Sequence, residues 1–249
     1  MPGPLLHVLR VFADERGAHG NPLGVVLDGA AIPSTAARQA VAAELGYAET
    51  VFVDDPGTGA VRIFTPAVEL PLAGHPLVGT AWLLARAGRP VRALRPPVGE
   101  VPAGADADGA WIEADPAGAP PFALVEHAAP ERVDALAVPR GPDVHEDAWA
   151  WIDQAAGTVR CRVFADGVGV PEDEATGSAA LRLAAALGRP IRIHQGRGSV
   201  IDAAPVDGGR VRIAGRVVLD EALPLAARAG GAAAALDADG RAHAPDTTM

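Results

Sequence analysis

The chain predicts an α+β fold of two pseudo-symmetric domains, each built of short strands wrapped around one central helix. Three observations carry that expectation. Residues 51–92 align without a gap over residues 151–192. Each copy reads as a β-hairpin, a Pro- and Gly-rich loop and then an apolar helix. Both helices stop at the same Gly-Arg-Pro, where Gly at the C-terminal cap and a following Pro end a helix.

The identical pairs include Gly57/Gly157, Thr58/Thr158, Arg62/Arg162, Phe64/Phe164, Pro71/Pro171 and the closing Gly88-Arg89-Pro90/Gly188-Arg189-Pro190. Before the first copy, Leu5–Phe12 and Gly24–Leu27 read as strands. Within the copies, Thr50–Val53 with Ala60–Phe64, and Ala148–Ile152 with Val159–Phe164, form the two hairpin signals. The helices are predicted over His75–Ala87 and Gly177–Leu187, apolar nearly all round and therefore buried on most faces. Short strands follow at Val91–Leu94, Ile191–Ile193, Arg210–Ile213 and Val217–Leu219. The stretch Arg95–Pro121, dense in Pro, Gly, Ala and Asp, separates the copies. The expected domains run over 1–105 and 106–225, with a small, polar tail over 226–249.

Composition narrows the chemistry. Among 249 residues, 31 are acidic and 21 basic, for a net charge of −10, and every basic residue is arginine. Without lysine there is no Schiff base, no lysine-anchored pyridoxal phosphate and no Walker A loop. The single cysteine, Cys161, excludes an internal disulfide, a multi-cysteine zinc site and a two-thiol racemase. The acidic balance disfavours nucleic acid and anionic membranes as partners. No apolar run reaches the length of a membrane span, and the cytoplasm is the expected compartment. The histidines show no metal-ligand spacing, so no metal is expected.

The loops entering the two helices, Ala73-Gly74-His75-Pro76 and Asp173-Glu174-Ala175-Thr176-Gly177-Ser178, carry the sharpest functional signal. Free amides at a helix start attract anions, so two such ends facing one cleft would hold a carboxylate. The backbone frame repeats while the polar side chains differ, which points to an asymmetric site; ordinary helix capping is the plainer alternative.

Several segments together resemble the PhzF-like (phenazine biosynthesis) family. They are Gly20-Asn21-Pro22-Leu23-Gly24-Val25-Val26, Ala48-Glu49-Thr50-Val51-Phe52-Val53, Arg62-Ile63-Phe64-Thr65-Pro66, Glu69–Pro76, Glu172–Ala179 and Ile193-His194-Gln195-Gly196-Arg197. The resemblance implies the diaminopimelate epimerase-like fold, with mostly antiparallel curled sheets around each central helix and the site between them. It also implies an isomerase of trans-2,3-dihydro-3-hydroxyanthranilate type, working without metal or organic cofactor, and a homodimer. On it, Glu49 becomes the acid/base, supported by His75 and Asp173, while Asn21, Gly74, Gly177 and Ser178 bind a small carboxylated substrate. A carboxylate shielded by Tyr47, Ala48 and Phe52 would have a raised pKa suited to taking and returning a proton. The repeat places Trp149 opposite Glu49, leaving the second domain without a matching base.

The sequence departs from the family at Glu174, where proline is usual, and at Leu77, where threonine is more usual. A third acidic residue beside Glu172 and Asp173 is expected to raise a pKa or repel an acidic substrate. Two other readings stay open: an amino-acid epimerase or racemase, which needs a second base, and a catalytically silent small-molecule-binding protein of the same fold.

Overall fold

The computed structural model describes residues 3–229. The N-terminal half contains β1 (Leu5–Ala13), β2 (Asn21–Val26), α1 (Thr35–Leu45), β3 (Glu49–Asp55), β4 (Ala60–Phe64), β5 (Glu69–Leu70), α2 (Gly74–Arg86), β6 (Ala93–Leu94), β7 (Val101–Ala105) and β8 (Gly109–Ala114). The C-terminal half contains β9 (Ala123–Glu126), α3 (Pro130–Asp134), β10 (Glu146–Asp153), β11 (Thr158–Ala165), β12 (Val170–Asp173), α4 (Gly177–Leu187), β13 (Ile191–Gln195), β14 (Ser199–Pro205), β15 (Val211–Pro224) and α5 (Leu225–Arg228).

The strands join in one path, β5-β4-β3-β2-β1-β15-β14-β13-β11-β10-β9, with β8, β7 and β6 branching from β15. Most pairings are antiparallel, and β2–β3, β9–β10 and β11–β13 are parallel. The long β15 is the seam. Its first part lies between β14 and β8, and its second part pairs with β1. The sequence suggests two separate strands here, but pairing on both edges carries the chain straight through Ala214–Arg216. Arg95–Pro121 also holds more structure than its composition suggests, since β7 and β8 form a hairpin there with Ala103, Ala110, Ile112 and Ala114 buried.

Helices α2 and α4 are the buried axes. In α2 every residue from Gly74 to Leu84 is buried. One apolar cluster joins Leu77, Val78 and Trp82 of α2 to Leu181 and Leu183 of α4 through Ile193, Ile201 and Ile213 of the sheet. A second cluster sits under α1, where Phe52 and Phe64 meet edge to face and Leu225 and Ala229 close it. Part of the expected tail is therefore core, and residues 230–249 lie outside the described residues. Helix α1, which the sequence reading passes over, is bounded by conventional signals: Ser34 accepts from Ala37 N–H, and Gly46 takes a left-handed φ of 66°.

The repeat is real, but it is not gapless in space. Arg62 and Arg162 each clamp a glutamate one strand over, Glu69 and Glu172, and each lies across its own Phe64 or Phe164. The hairpin turns, however, match Gly59 (φ 75°) to Gly157 (φ 77°), because Asp55 pairs with Ala60 as Asp153 pairs with Thr158. At the helix starts Gly74 faces Gly177. Counted from the matching turns, the strand position of Glu49 is filled by Asp147 and not by Trp149. Trp149 packs edge to face on Trp151, 5.4 Å between centroids.

Asp147 is buried against the Cys161 thiol, and desolvation raises its pKa to about 7. Cys161 is itself buried, with its pKa raised by burial and then by Asp147. A carboxyl group whose pKa is higher folded than unfolded destabilises the fold as pH rises through that interval. Asp147→Asn should therefore gain stability over the parent between about pH 4 and pH 7, with the gain level above that. Denaturant midpoints measured across this range test it, and a flat difference would refute it.

Candidate active site

Five chain segments converge where α2 and α4 begin. An ideal Cβ built on Gly74 would lie 3.1 Å from the Gly177 Cα, and one on Gly177 would lie 3.1 Å from the Gly74 Cα. Only glycine permits that approach. Neither helix start is closed by a side chain, since the caps Ala73 and Thr176 make no capping hydrogen bond. The amides of Gly74 and His75 in α2, and of Gly177 and Ser178 in α4, therefore have no partner within their own helices.

Glu49, at the start of β3, stands 3.1 Å from Nε2 of His75, the second residue of α2. Glu49 keeps 16% side-chain exposure and His75 6%, so the contact is nearly dry with a narrow opening on the carboxyl side. Desolvation raises the Glu49 pKa to about 7 and lowers that of His75 to about 4. At pH 7 the imidazole is neutral and has one N–H, which goes to the Pro22 carbonyl. The nitrogen facing Glu49 is then unprotonated, and the carboxyl is divided between its acid and ionised forms near neutral pH. A charged ion pair does not describe this contact: Glu49 Oε2 and His75 Nε2 are buried 3.1 Å apart, and neither makes a hydrogen bond. Phe52 plays no part in the shielding, because it points to the opposite face of β3 and packs with Phe64. His75 and the surrounding core provide it.

Asp173, at the end of β12, joins the pair from the C-terminal half. Burial raises its pKa; the Thr176 hydrogen bond and the nearby His75 oppose that, Glu49 adds to it, and Asn21 opposes it again. Asn21 Nδ2 donates to Asp173 Oδ1 at 2.8 Å and to the Ala175 carbonyl at 3.0 Å. Asn21 therefore stands behind Asp173 with both amide hydrogens spent. Ser178, the second residue of α4, is half-buried at the same junction.

The crowding expected from Glu174 does not arise. Its carboxylate turns to the β13–β14 turn, accepting from Arg197 N–H, Arg197 Nε and Ser199 Oγ. Glu172 turns to Arg162. Of the three acids, only Asp173 faces the site. The sequence reading assigns no role to Gln195 or to the Thr176 hydroxyl, yet both are buried and hydrogen-bonded to Asp173. Gln195 lies within the His194-Gln195-Gly196 segment, the one signal that marks it. Among the described residues, no group of three or more His, Cys, Asp or Glu is placed to hold a metal ion, and no helix is long and apolar enough to cross a membrane.

Residues 9–115 match the family model of phenazine biosynthesis-like proteins. Over that stretch the chain resembles the PhzF-like family. A stretch of 68 residues is 47% identical to the trans-2,3-dihydro-3-hydroxyanthranilate isomerase of Pseudomonas fluorescens, covering 26% of this chain and 24% of that protein. The matched part spans about a quarter of the length of the curated relatives. In structure, the chain superposes on a phenazine biosynthesis PhzC/PhzF protein from Clostridium difficile with a TM-score of 0.72 at 19% identity, over 89% of this chain and 98% of the other. It also superposes on a hydroxyproline epimerase from Agrobacterium vitis, with a TM-score of 0.55 at 12% identity over 88% and 90%. These two likenesses show the diaminopimelate epimerase-like fold that the PhzF-like resemblance implies.

Proposed function

We propose that the chain is a cofactor-independent isomerase that moves a proton on a small carboxylated metabolite, of the kind its Pseudomonas relative's name describes. The observation that supports this best is the neutral Glu49–His75 contact. A carboxyl group with a pKa near 7 exists in both forms at neutral pH, so it takes and returns a proton with little driving force lost either way. His75, buried and uncharged, helps keep water from Glu49 without competing for its proton. The open amides at the starts of α2 and α4, with Ser178, would receive the substrate carboxylate. Asp173 would accept a hydrogen bond from the substrate's amine or hydroxyl group. The cleft between the two halves, read as domains, is where the substrate would sit.

Glu49 must be ionised in the free enzyme to take the first proton. The expected kcat/KM therefore rises with pH around a midpoint near 7 and levels above it, and a pH-independent profile from 5 to 9 would contradict Glu49 as the base. The test of the reaction itself is incubation of trans-2,3-dihydro-3-hydroxyanthranilate in deuterated water with NMR detection. A product with a shifted double bond supports the isomerase. Inversion of an amino acid's α-carbon with solvent label would replace it with the epimerase reading, and saturable binding without turnover with a silent binding protein.

A further inference from the structure

We infer that Gln195 is a positioning residue that acts through the Thr176 hydroxyl to fix the direction of the hydrogen bonds reaching the Asp173 carboxylate. The inference rests on the reading above only for Asp173's contact with substrate.

The side-chain amide of Gln195 has one possible orientation. Its Oε1 faces the Thr176 N–H at 3.0 Å, which can only donate. Its Nε2 faces the Asp173 carbonyl at 2.9 Å, which can only accept. In that orientation Nε2 also donates to Thr176 Oγ1 at 2.8 Å. The hydroxyl is then occupied as an acceptor from the Gln195 side, so its own proton points the other way. There it meets Asp173 Oδ2 at 2.6 Å. With Asn21 donating to Oδ1, each Asp173 oxygen receives a donor whose polarity cannot reverse.

The consequence concerns ionisation in a dry place. Two obligatory donors stabilise the carboxylate form against the desolvation that favours the acid. The other titratable groups facing Asp173 are Glu49 from β3 and His75 from α2; its chain neighbours Glu172 and Glu174 are tied outward to Arg162 and Arg197. Gln195 is also buried at the end of β13 and, besides its bond to the Asp173 backbone carbonyl, reaches the Asp173 carboxylate only through Thr176. Without it the Thr176 hydroxyl is free to rotate, and Asp173 loses one obligatory donor.

The test uses the full chain carrying carboxyl-¹³C aspartate, with the Asp173 signal assigned by its loss in Asp173→Asn. In Gln195→Met the Asp173 titration midpoint should move up by about one unit, as should that in Thr176→Val. The double variant should move no further, and Thr176→Ser should titrate like the parent. An unmoved midpoint in folded Gln195→Met, or additive shifts in the double variant, overturns the inference. Should Gln195→Met fail to fold, the parent decides: deuteration of the Thr176 hydroxyl shifts the Asp173 carboxyl signal if that proton lies on the Asp173 side, and its absence overturns the inference. In kinetics, Gln195→Met should move the acid limb of kcat/KM upward. A parent with no turnover would sink the proposed reaction while leaving the NMR result to judge Gln195.

Discussion

Glu49→Gln should lower kcat for trans-2,3-dihydro-3-hydroxyanthranilate by about 10²–10⁴-fold, the range that a positioned acid/base contributes, with the fold retained. Glutamine copies the shape of the protonated carboxyl and stays uncharged beside the neutral His75. Substrate binding should change little, because the anion-receiving amides and Ser178 lie on the helix starts and not on β3. The variant should also lose the stability slope that Glu49 imposes. A group with its folded pKa raised from 4.5 to about 7 costs stability as pH climbs through that interval. Above pH 7 the variant should therefore be at least as stable as the parent. Steady-state kinetics, deuterium exchange and denaturant titration on the same sample separate these effects. An unchanged kcat would remove Glu49 from the chemistry and favour a binding role.

The two central helices and their stops are legible in the sequence because they depend on local signals. Apolar residues on every face, Gly at the cap and Pro beyond it place Gly177–Leu187 at its observed bounds and α2 within one residue. The hairpins are legible for the same reason. What the sequence hides is where the two copies slip against each other. β11 is longer than β4, and α4 is shorter than α2, so an ungapped alignment stays in step at Arg62/Arg162 and Gly88/Gly188 while drifting before and between them. Asp147 is lost to that drift, because its burial depends on pairing with distant strands. Glu49, His75 and Asp173 are visible only as members of short motifs, and their proximity comes from tertiary structure. The outward turn of Glu174 could not be read at all, since it depends on Ser199 and Arg197 arriving through the β13–β14 turn. Conversely, the lack of lysine and of paired thiols leaves carboxyl and imidazole as the chemistry available, and those are the groups that meet in the cleft.

Gly177→Ala should lower both stability and activity. The added methyl would stand 2.9 Å from the Ile213 side-chain tip, 3.1 Å from the Gly74 Cα and 3.2 Å from the His75 N. The first neighbour can move; the other two are helix backbone. Overpacking of this kind costs about 1–3 kcal/mol, and the relief available is separation of the two helix starts. That separation carries His75 away from Glu49 and splits the paired amides, and a misplacement near 1 Å can cost about 10²-fold in rate. Adding Ile213→Val removes the movable contact while leaving both backbone contacts. The double variant should therefore recover part of the stability and little of the activity. Thermal melts and kcat measured on both variants decide it. Full recovery of activity in the double variant would mean that side-chain packing, and not the abutting helix starts, sets the geometry of the site.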